Sequence, residues 1–266
     1  MKTYPALTFR FVDPDILAAL VDDFSPTAIE QRETDVLVFF AKARDRDAAQ
    51  HALASRFDVE VIEVSDDDWA RRSQEGLQPI SVGGITIVPS SKFQVASRPL
   101  TIVIQPSMGF GTGHHATTRL CLAALQTLDL RGRDVLDVGT GSGILAIAAD
   151  RLGAAHAAGI DYDADAIQSA RENLVLNPET RHVTFDVVDL TAAVLPQADI
   201  VTANLTGALL VRSASGLAGA VRPGGTLVLS GLLTHEREEV RRAFAGMVLT
   251  WEGEEDGWVG IAVKKS

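Results

Sequence analysis

One cysteine among 266 residues, Cys121, is too few for an internal disulfide, and a reducing cytoplasm is the expected home of such a chain. Cys121 sits in the apolar run Leu120 to Leu125 and reads as packing rather than as a nucleophile. Cationic side chains are scarce too. The 24 Lys and Arg stand against 35 Asp and Glu, a formal net charge of −11. A surface of that sign repels nucleic acid and favours a basic partner. No apolar run approaches the ~20 residues that span a bilayer, and Met1-Lys2-Thr3-Tyr4-Pro5 lacks the apolar core of a secretory signal. Neither an HExxH pattern nor spaced cysteines are present, and the adjacent His114 and His115 lack a third ligand at metal spacing, so no metal is expected. What remains is a globular composition, 46% apolar and 22% charged, with length for one large domain or two unequal ones.

The most informative stretch is Val135-Leu136-Asp137-Val138-Gly139-Thr140-Gly141-Ser142-Gly143, followed by the apolar run Ile144 to Ala149. It reads as a buried strand, a glycine-rich turn and a helix. Asp161 ends a second apolar run. A strand, a turn of little side-chain bulk and a downstream acid make a frame for a nucleoside, with Gly139, Gly141 and Gly143 lining it and Asp161 accepting from ribose hydroxyls. Two ligands compete for this frame. Gly141-Ser142-Gly143-Ile144-Leu145-Ala146 satisfies a dinucleotide pattern ending in alanine, as a nicotinamide enzyme would. Asp137, inside the strand, would repel a pyrophosphate at the helix start but suits a cationic ligand such as S-adenosylmethionine. A third reading is a tight strand-to-helix turn and nothing more.

Around this centre the pattern predicts two domains. Strands at Ala6–Val12, Thr27–Gln31, Val36–Ala41 and Val59–Val64, with helices after Asp13-Pro14 and over Asp47–Phe57, follow β-α-β-β-α-β, the ferredoxin-like split, across residues 1–64. Residues 65–95 read as a linker: a helix from Asp66 to about Gly76 carrying Trp69, then a hairpin around Gly83-Gly84. From 96 to 266 strands and helices alternate, which implies an α/β domain with a mostly parallel sheet. Its predicted helices are Thr117–Leu128, Ser142–Leu152, Ala164–Leu176, Ala208–Ala220 and Thr234–Ala245, and Gly253 to Gly257 turns a closing antiparallel hairpin. Ligands of such sheets sit beyond the carboxyl ends of the strands. Gly139, Asp161, Asp189 and Asn204 all fall there. Asn204 and a neighbouring backbone carbonyl can accept from an amine; equally, an asparagine there can cap the next helix.

Phe110-Gly111-Thr112-Gly113-His114-His115-Ala116-Thr117-Thr118, the glycine turn, Gly159-Ile160-Asp161 and Ala203-Asn204-Leu205 together resemble the bacterial methyltransferases of large-subunit ribosomal protein eleven. The resemblance covers nearly the whole chain. It implies a seven-stranded class I methyltransferase sheet and a small α+β recognition domain. The implied cofactor is S-adenosylmethionine, held by Phe110, Thr117, Thr118, Asp137, Gly139, Gly141, Gly143, Asp161 and Asn204. Asn204 and the Leu205 carbonyl would orient the amine of a lysine side chain or chain terminus. The implied enzyme methylates a basic ribosomal protein; the acidic charge argues against contact with nucleic acid, and a monomer is expected. Two departures fall where docking and the target amine would be sensed: Ser73 stands where the family carries a second linker tryptophan, and Leu205-Thr206-Gly207 replaces a bulkier run. The rivals are a lysine methyltransferase of another protein, such as an electron-transfer flavoprotein subunit, a nicotinamide-dependent oxidoreductase, and a binding module without activity.

Overall fold

The computed structural model describes residues 3–12, 17, 20–21, 24, 26–31, 34–65, 78–90, 100–105 and 113–266, and the chain divides into two units, Met1–Ser73 and Gln74–Ser266. In the first, β1 (Thr3–Arg10), β2 (Pro26–Gln31), β3 (Asp35–Phe40), helix α1 (Ala43–Leu53) and β4 (Val59–Ser65) are formed. The strands pair antiparallel in the order β2-β3-β1-β4. Alternate residues Leu7, Phe9, Val36, Val38 and Phe40 bury one face with Ala49 and Leu53 of α1, as a period of two against 3.6 requires. The helix begins and ends four residues before the predicted Asp47–Phe57. Phe57 lies past its end and stacks edge-on against Phe9, ring centroids 6.3 Å apart. The predicted first crossover helix falls mostly, and the linker helix with Trp69 and Ser73 wholly, outside the described residues.

In the second unit, β5 (Ile80–Val82) and β6 (Ile85–Pro89) form the expected hairpin, and β7 (Thr101–Ile104) joins β6 in parallel. Ile85, Ile87, Ile102 and Ile104 are buried in the same core as the helices of the second unit. The hairpin is therefore built into the second unit and is not part of the linker between the two.

Then follow α2 (Ala116–Leu125), β8 (Asp134–Val138), α3 (Ile144–Arg151), β9 (His156–Asp161), α4 (Ala164–Val175), β10 (Val183–Val187) and β11 (Ala198–Asn204). The chain closes with α5 (Gly207–Arg212), α6 (Ala214–Ala220), β12 (Val221–Leu233), a 3-10 turn, α7 (Arg237–Ala243), β13 (Met247–Glu255) and β14 (Trp258–Lys265). Seven strands form one sheet in the order β10-β9-β8-β11-β12-β14-β13. All neighbours are parallel except those of β14. Asp256 (φ 51) and Gly257 (φ 77) turn the last hairpin with both central residues left-handed, the geometry that matches strand twist.

Each face of the sheet carries its own core. Val135, Ala157, Ile200, Val228 and Ala262 pack with α2, α3 and α4, and Leu136, Val138, Val201, Leu227 and Ile261 pack with α5, α6 and α7. Helix α3 buries every residue from Ile144 to Ala149. Each Ile or Leu so buried contributes about 1.5–3 kcal/mol. The helix expected at 208–220 is two helices meeting at Ser213 (φ −99, ψ 8), because serine competes for its own backbone and the flanking Gly216 and Gly219 hold a helix weakly. No helix among the described residues is long and apolar enough to cross a membrane.

Candidate active site

The switch in strand order falls between β8 and β11, since the chain goes from β8 outward to β9 and β10 and then returns to the other side. In sheets of this kind the ligand crevice lies at that point, beyond the strands' carboxyl ends. Gly139 follows β8, Asp161 ends β9, Asp189 lies just past β10 and Asn204 ends β11. The residues singled out in the sequence converge there from four separate segments.

The three glycines of the turn are all at positive φ, 71° at Gly139, 52° at Gly141 and 82° at Gly143, yet they do different things. A Cβ on Gly139 would overlap Leu205 Cδ2. The Gly141 amide donates to Asp161 Oδ2 at 3.0 Å. Gly143 is the N-cap of α3, and a Cβ there would meet Phe185 Cζ at 2.6 Å and Ala170 Cβ at 3.0 Å. Its bare Cα serves packing of the helix on β10 and α4.

Asp137 is held from the interior. It is 1% exposed and accepts 2.6 Å hydrogen bonds on both oxygens, from the Thr140 and Thr202 hydroxyls. A backbone bond from Ala146 reaches it as well. Ala146 lies in the first turn of α3, so this carboxylate supplies the capping anion that Gly143 cannot. Burial pushes its pKa up to about 6 against the pull of those donors. Asp137 therefore stands behind the turn and does not face the crevice.

Asp161 is half-buried and accepts from Gly141 through one oxygen and from the Asp163 amide through the other, at 3.1 Å. A carboxylate has about four acceptor positions, so it retains capacity toward a ligand. Among the described residues, no lysine or arginine pairs with Asp137 or Asp161. Tyr162 beside it is 78% exposed. Asp189 is held as a turn by the Thr191 amide and hydroxyl at 2.8 and 2.6 Å, and that hydroxyl bond keeps its pKa low.

Helix α5 is capped at Thr206, not at Asn204, and no side-chain hydrogen bond engages Asn204 among the described residues. The capping alternative for Asn204 thus loses its support. Leu205 donates its amide to the Ser230 carbonyl at 3.0 Å.

Thr117 and Thr118, 3% and 2% exposed, lie in the first turn of α2. The Thr117 hydroxyl is 2.8 Å from His115 Nδ1. His115 caps the helix and stacks edge-on to Trp258 at 5.0 Å, and burial, then Arg119, lowers its pKa. His114 Nε2 is 2.8 Å from the Gln78 carbonyl, so the two histidines have structural partners of their own. Arg119 donates to the His114 carbonyl and to Glu255 and Asp256, tying the loop to the last hairpin. Phe110 lies outside the described residues. Cys121 is fully buried, and burial raises its pKa, so it does not act as a nucleophile.

Two residues of this region escape sequence reasoning. Thr202 sits beside Asp137 in register, a hydroxyl inside the apolar run Ile200 to Ala203, and that polarity was its visible signal. Asn173, fully buried, donates to the Ser142 carbonyl at 3.0 Å and accepts the Gln105 amide at 2.7 Å. It joins the glycine turn to the strand that leads into the histidine loop. Its signal was an asparagine on the buried face of a helix, repeated four residues on at Asn177.

A family model described as ribosomal protein L11 methyltransferase (PrmA) matches residues 12–266. The chain belongs to the ribosomal protein L11 methyltransferase family. It is 38% identical over 269 residues to the ribosomal protein L11 methyltransferase of Pseudomonas aeruginosa (strain LESB58), covering 98% of this chain and 90% of that one. The Deinococcus radiodurans protein of the same name is 40% identical over 223 residues, 82% of this chain and 80% of its own. Among solved structures, the ribosomal protein L11 methylase of Lactobacillus delbrueckii subsp. bulgaricus superposes with a TM-score of 0.64 at 27% identity, over 71% of this chain and 99% of that one. Membership makes the chain a methyltransferase and its seven-stranded sheet that of the class. Neither the oxidoreductase nor the flavoprotein-directed rival finds support in these likenesses.

Asp161, bonded only by amides among the described residues, fits a cationic methyl donor. The N-terminus of α3 already carries a protein carboxylate and offers a diphosphate no seat.

Proposed function

We propose that this protein transfers methyl groups from S-adenosylmethionine to lysine side chains or the α-amino group of ribosomal protein L11. The observation that carries the reading is the pairing, across one crevice, of a glycine turn backed by Asp137 and Asp161 with an uncapped Asn204. When bound, S-adenosylmethionine supplies a methyl group on a positively charged sulfur. Asp161 would accept from the ribose hydroxyls, and Tyr162 and Asp189 flank the same strand ends. Gly139 and Gly141 leave the backbone open to approach, Thr117 and Thr118 would act from the first turn of α2, as the family resemblance implies, and Asp137 holds the turn's shape from behind.

The target amine must arrive uncharged, although a lysine's ordinary pKa is ~10.4. The Asn204 side-chain oxygen and the Leu205 carbonyl accept its N–H bonds and so aim the lone pair, while low-dielectric surroundings favour the neutral form. Alignment then does most of the work. The proton that nitrogen sheds after methylation passes to water.

The first unit, with its strand order β2-β3-β1-β4, is read as the ferredoxin-like module that recognises the ribosomal protein. The acidic balance of the chain suits a basic substrate and argues against a role for RNA contacts. We take the enzyme to be a cytoplasmic monomer. Mass spectrometry of ribosomal protein L11 after incubation with enzyme and S-adenosylmethionine tests the reading: mass increments of methyl groups at amines support it, and an unmodified substrate at saturating S-adenosylmethionine, from enzyme that separately binds S-adenosylhomocysteine, refutes it.

A further inference from the structure

Strands β11 and β12 run parallel up to the pair Asn204–Ser230. At the same level the pairing of β12 with β14 slips. Leu229 faces Ile261 and Leu232 faces Val259, so Ser230 and Gly231 together oppose Gly260 alone. This is a β-bulge, a device that re-aims chain beside active sites. Ser230, fully buried, pins it in two directions. Its hydroxyl donates to the Val259 carbonyl at 2.9 Å, and its own carbonyl receives the Leu205 amide at 3.0 Å.

Gly231 has φ 87°, and the space where a side chain would begin is filled by the Leu205 backbone. A Cβ there would overlap the Leu205 carbonyl oxygen and lie 2.7 Å from its carbonyl carbon and 3.0 Å from its nitrogen. Leu205 meets a second glycine on its other side, because its Cδ2 occupies the Cβ position of Gly139. The residue is seated between two bare Cα atoms, its backbone on the bulge and its side chain on the cofactor turn.

We propose that Gly231 is a positioning residue for methyl transfer: the bulge it permits sets the place of the Leu205 carbonyl relative to the glycine turn, and so sets the direction in which the target amine is held. This rests on the reading of Leu205 as an amine acceptor given above. Displacing an orienting group by about 1 Å is enough to lower turnover by roughly a hundredfold. The contact that links the bulge to the glycine turn is Leu205, whose backbone meets Gly231 and whose Cδ2 meets Gly139, so the first effect of moving the bulge falls on Leu205 and not on Asp161.

The experiment compares Gly231→Ala and Ser230→Ala with the parent enzyme on ribosomal protein L11, with active sites counted by S-adenosylhomocysteine titration. Gly231→Ala is expected to lower kcat per site by roughly a hundredfold and Ser230→Ala by about tenfold, with KM for S-adenosylmethionine and affinity for S-adenosylhomocysteine within about threefold of the parent. A merely structural glycine would reduce the yield of folded sites and leave kcat per site alone. That outcome, or a loss of cofactor affinity that matches the loss of turnover, overturns the proposal. If Gly231→Ala yields no folded protein, Ser230→Ala decides by the same criteria, since it adds no atoms. An inactive parent would count against the function itself; an active parent with both variants unaffected counts against the role of Gly231 alone.

Discussion

The two ends of the seven-stranded sheet are both rich in carboxylates, and they treat them in opposite ways. At the amino end, Asp134 pairs with Arg222 at 2.8 Å and His156 at 3.1 Å, which holds its pKa low. Asp199 pairs with Arg222 at 2.9 Å and Arg133 at 3.7 Å. Asp150 accepts the amides of His182 and Arg181 at 3.0 and 3.3 Å. At the carboxyl end, Asp137 and Asp161 meet hydroxyls and amides only among the described residues. The amino end also has a cavity of about 530 Å³, lined by Asp134, His156, Arg181, His182 and the small apolar residues between them. What marks the carboxyl end is negative charge that no cation among the described residues neutralises, which leaves that task to a ligand.

Substitutions at the two ends test this contrast, and the largest effect is expected at Asn204. Asn204→Ala should lower kcat by roughly 10²–10³-fold, the scale of a lost orienting group, with cofactor affinity within a few-fold. Methylation at the parental rate would remove Asn204 from the chemistry.

Next comes Asp137. Its folded-state pKa of about 6 lies above the ordinary carboxylate value, so the native protein keeps a proton that the unfolded chain releases near pH ~3.9. Between those values the native state binds more protons, and stability falls as pH rises from about 4 through about 6, by on the order of 3 kcal/mol. Asp137→Asn lacks this slope. Its unfolding free energy relative to the parent should increase across that window in denaturant titrations at stepped pH, while its affinity for S-adenosylmethionine weakens. A difference between the two proteins that stays flat with pH would contradict the raised pKa.

Asp161→Ala should weaken cofactor binding by about 1.5–3 kcal/mol, the range for hydrogen bonds to a charged group, as read by titration calorimetry. Unchanged affinity would break the equation of unneutralised charge with ligand binding.

The smallest effect belongs to the amino end. Asp150→Ala removes acceptors from two amides and should lower stability by about 1–2 kcal/mol, with kcat and KM unaltered. A kinetic defect there would erase the distinction between the ends.

Much of this was legible beforehand because it is local. A strand, a glycine turn and a helix are written in adjacent residues, and the alternation from Asp134 onward declares a parallel sheet whose ligands lie at one known edge. Even so, the glycines could not be told apart in one dimension. Gly143 packs on Phe185, 42 positions away, whereas Gly139 meets Leu205. Asp137 was expected at the ligand; the Thr202 hydroxyl, across the neighbouring strand, takes one of its oxygens and helps hold it in the interior.

By its order of residues alone, this chain settles the class of fold, the edge of the sheet that holds the chemistry and the sign of charge waiting there, since periodicity, glycine punctuation and acid spacing act over a few residues. Tertiary structure alone decides which acid is buried, which glycine packs and how Leu205 is seated. Those depend on pairings between β8, β11 and β12, where contact comes from strand register and not from nearness in sequence.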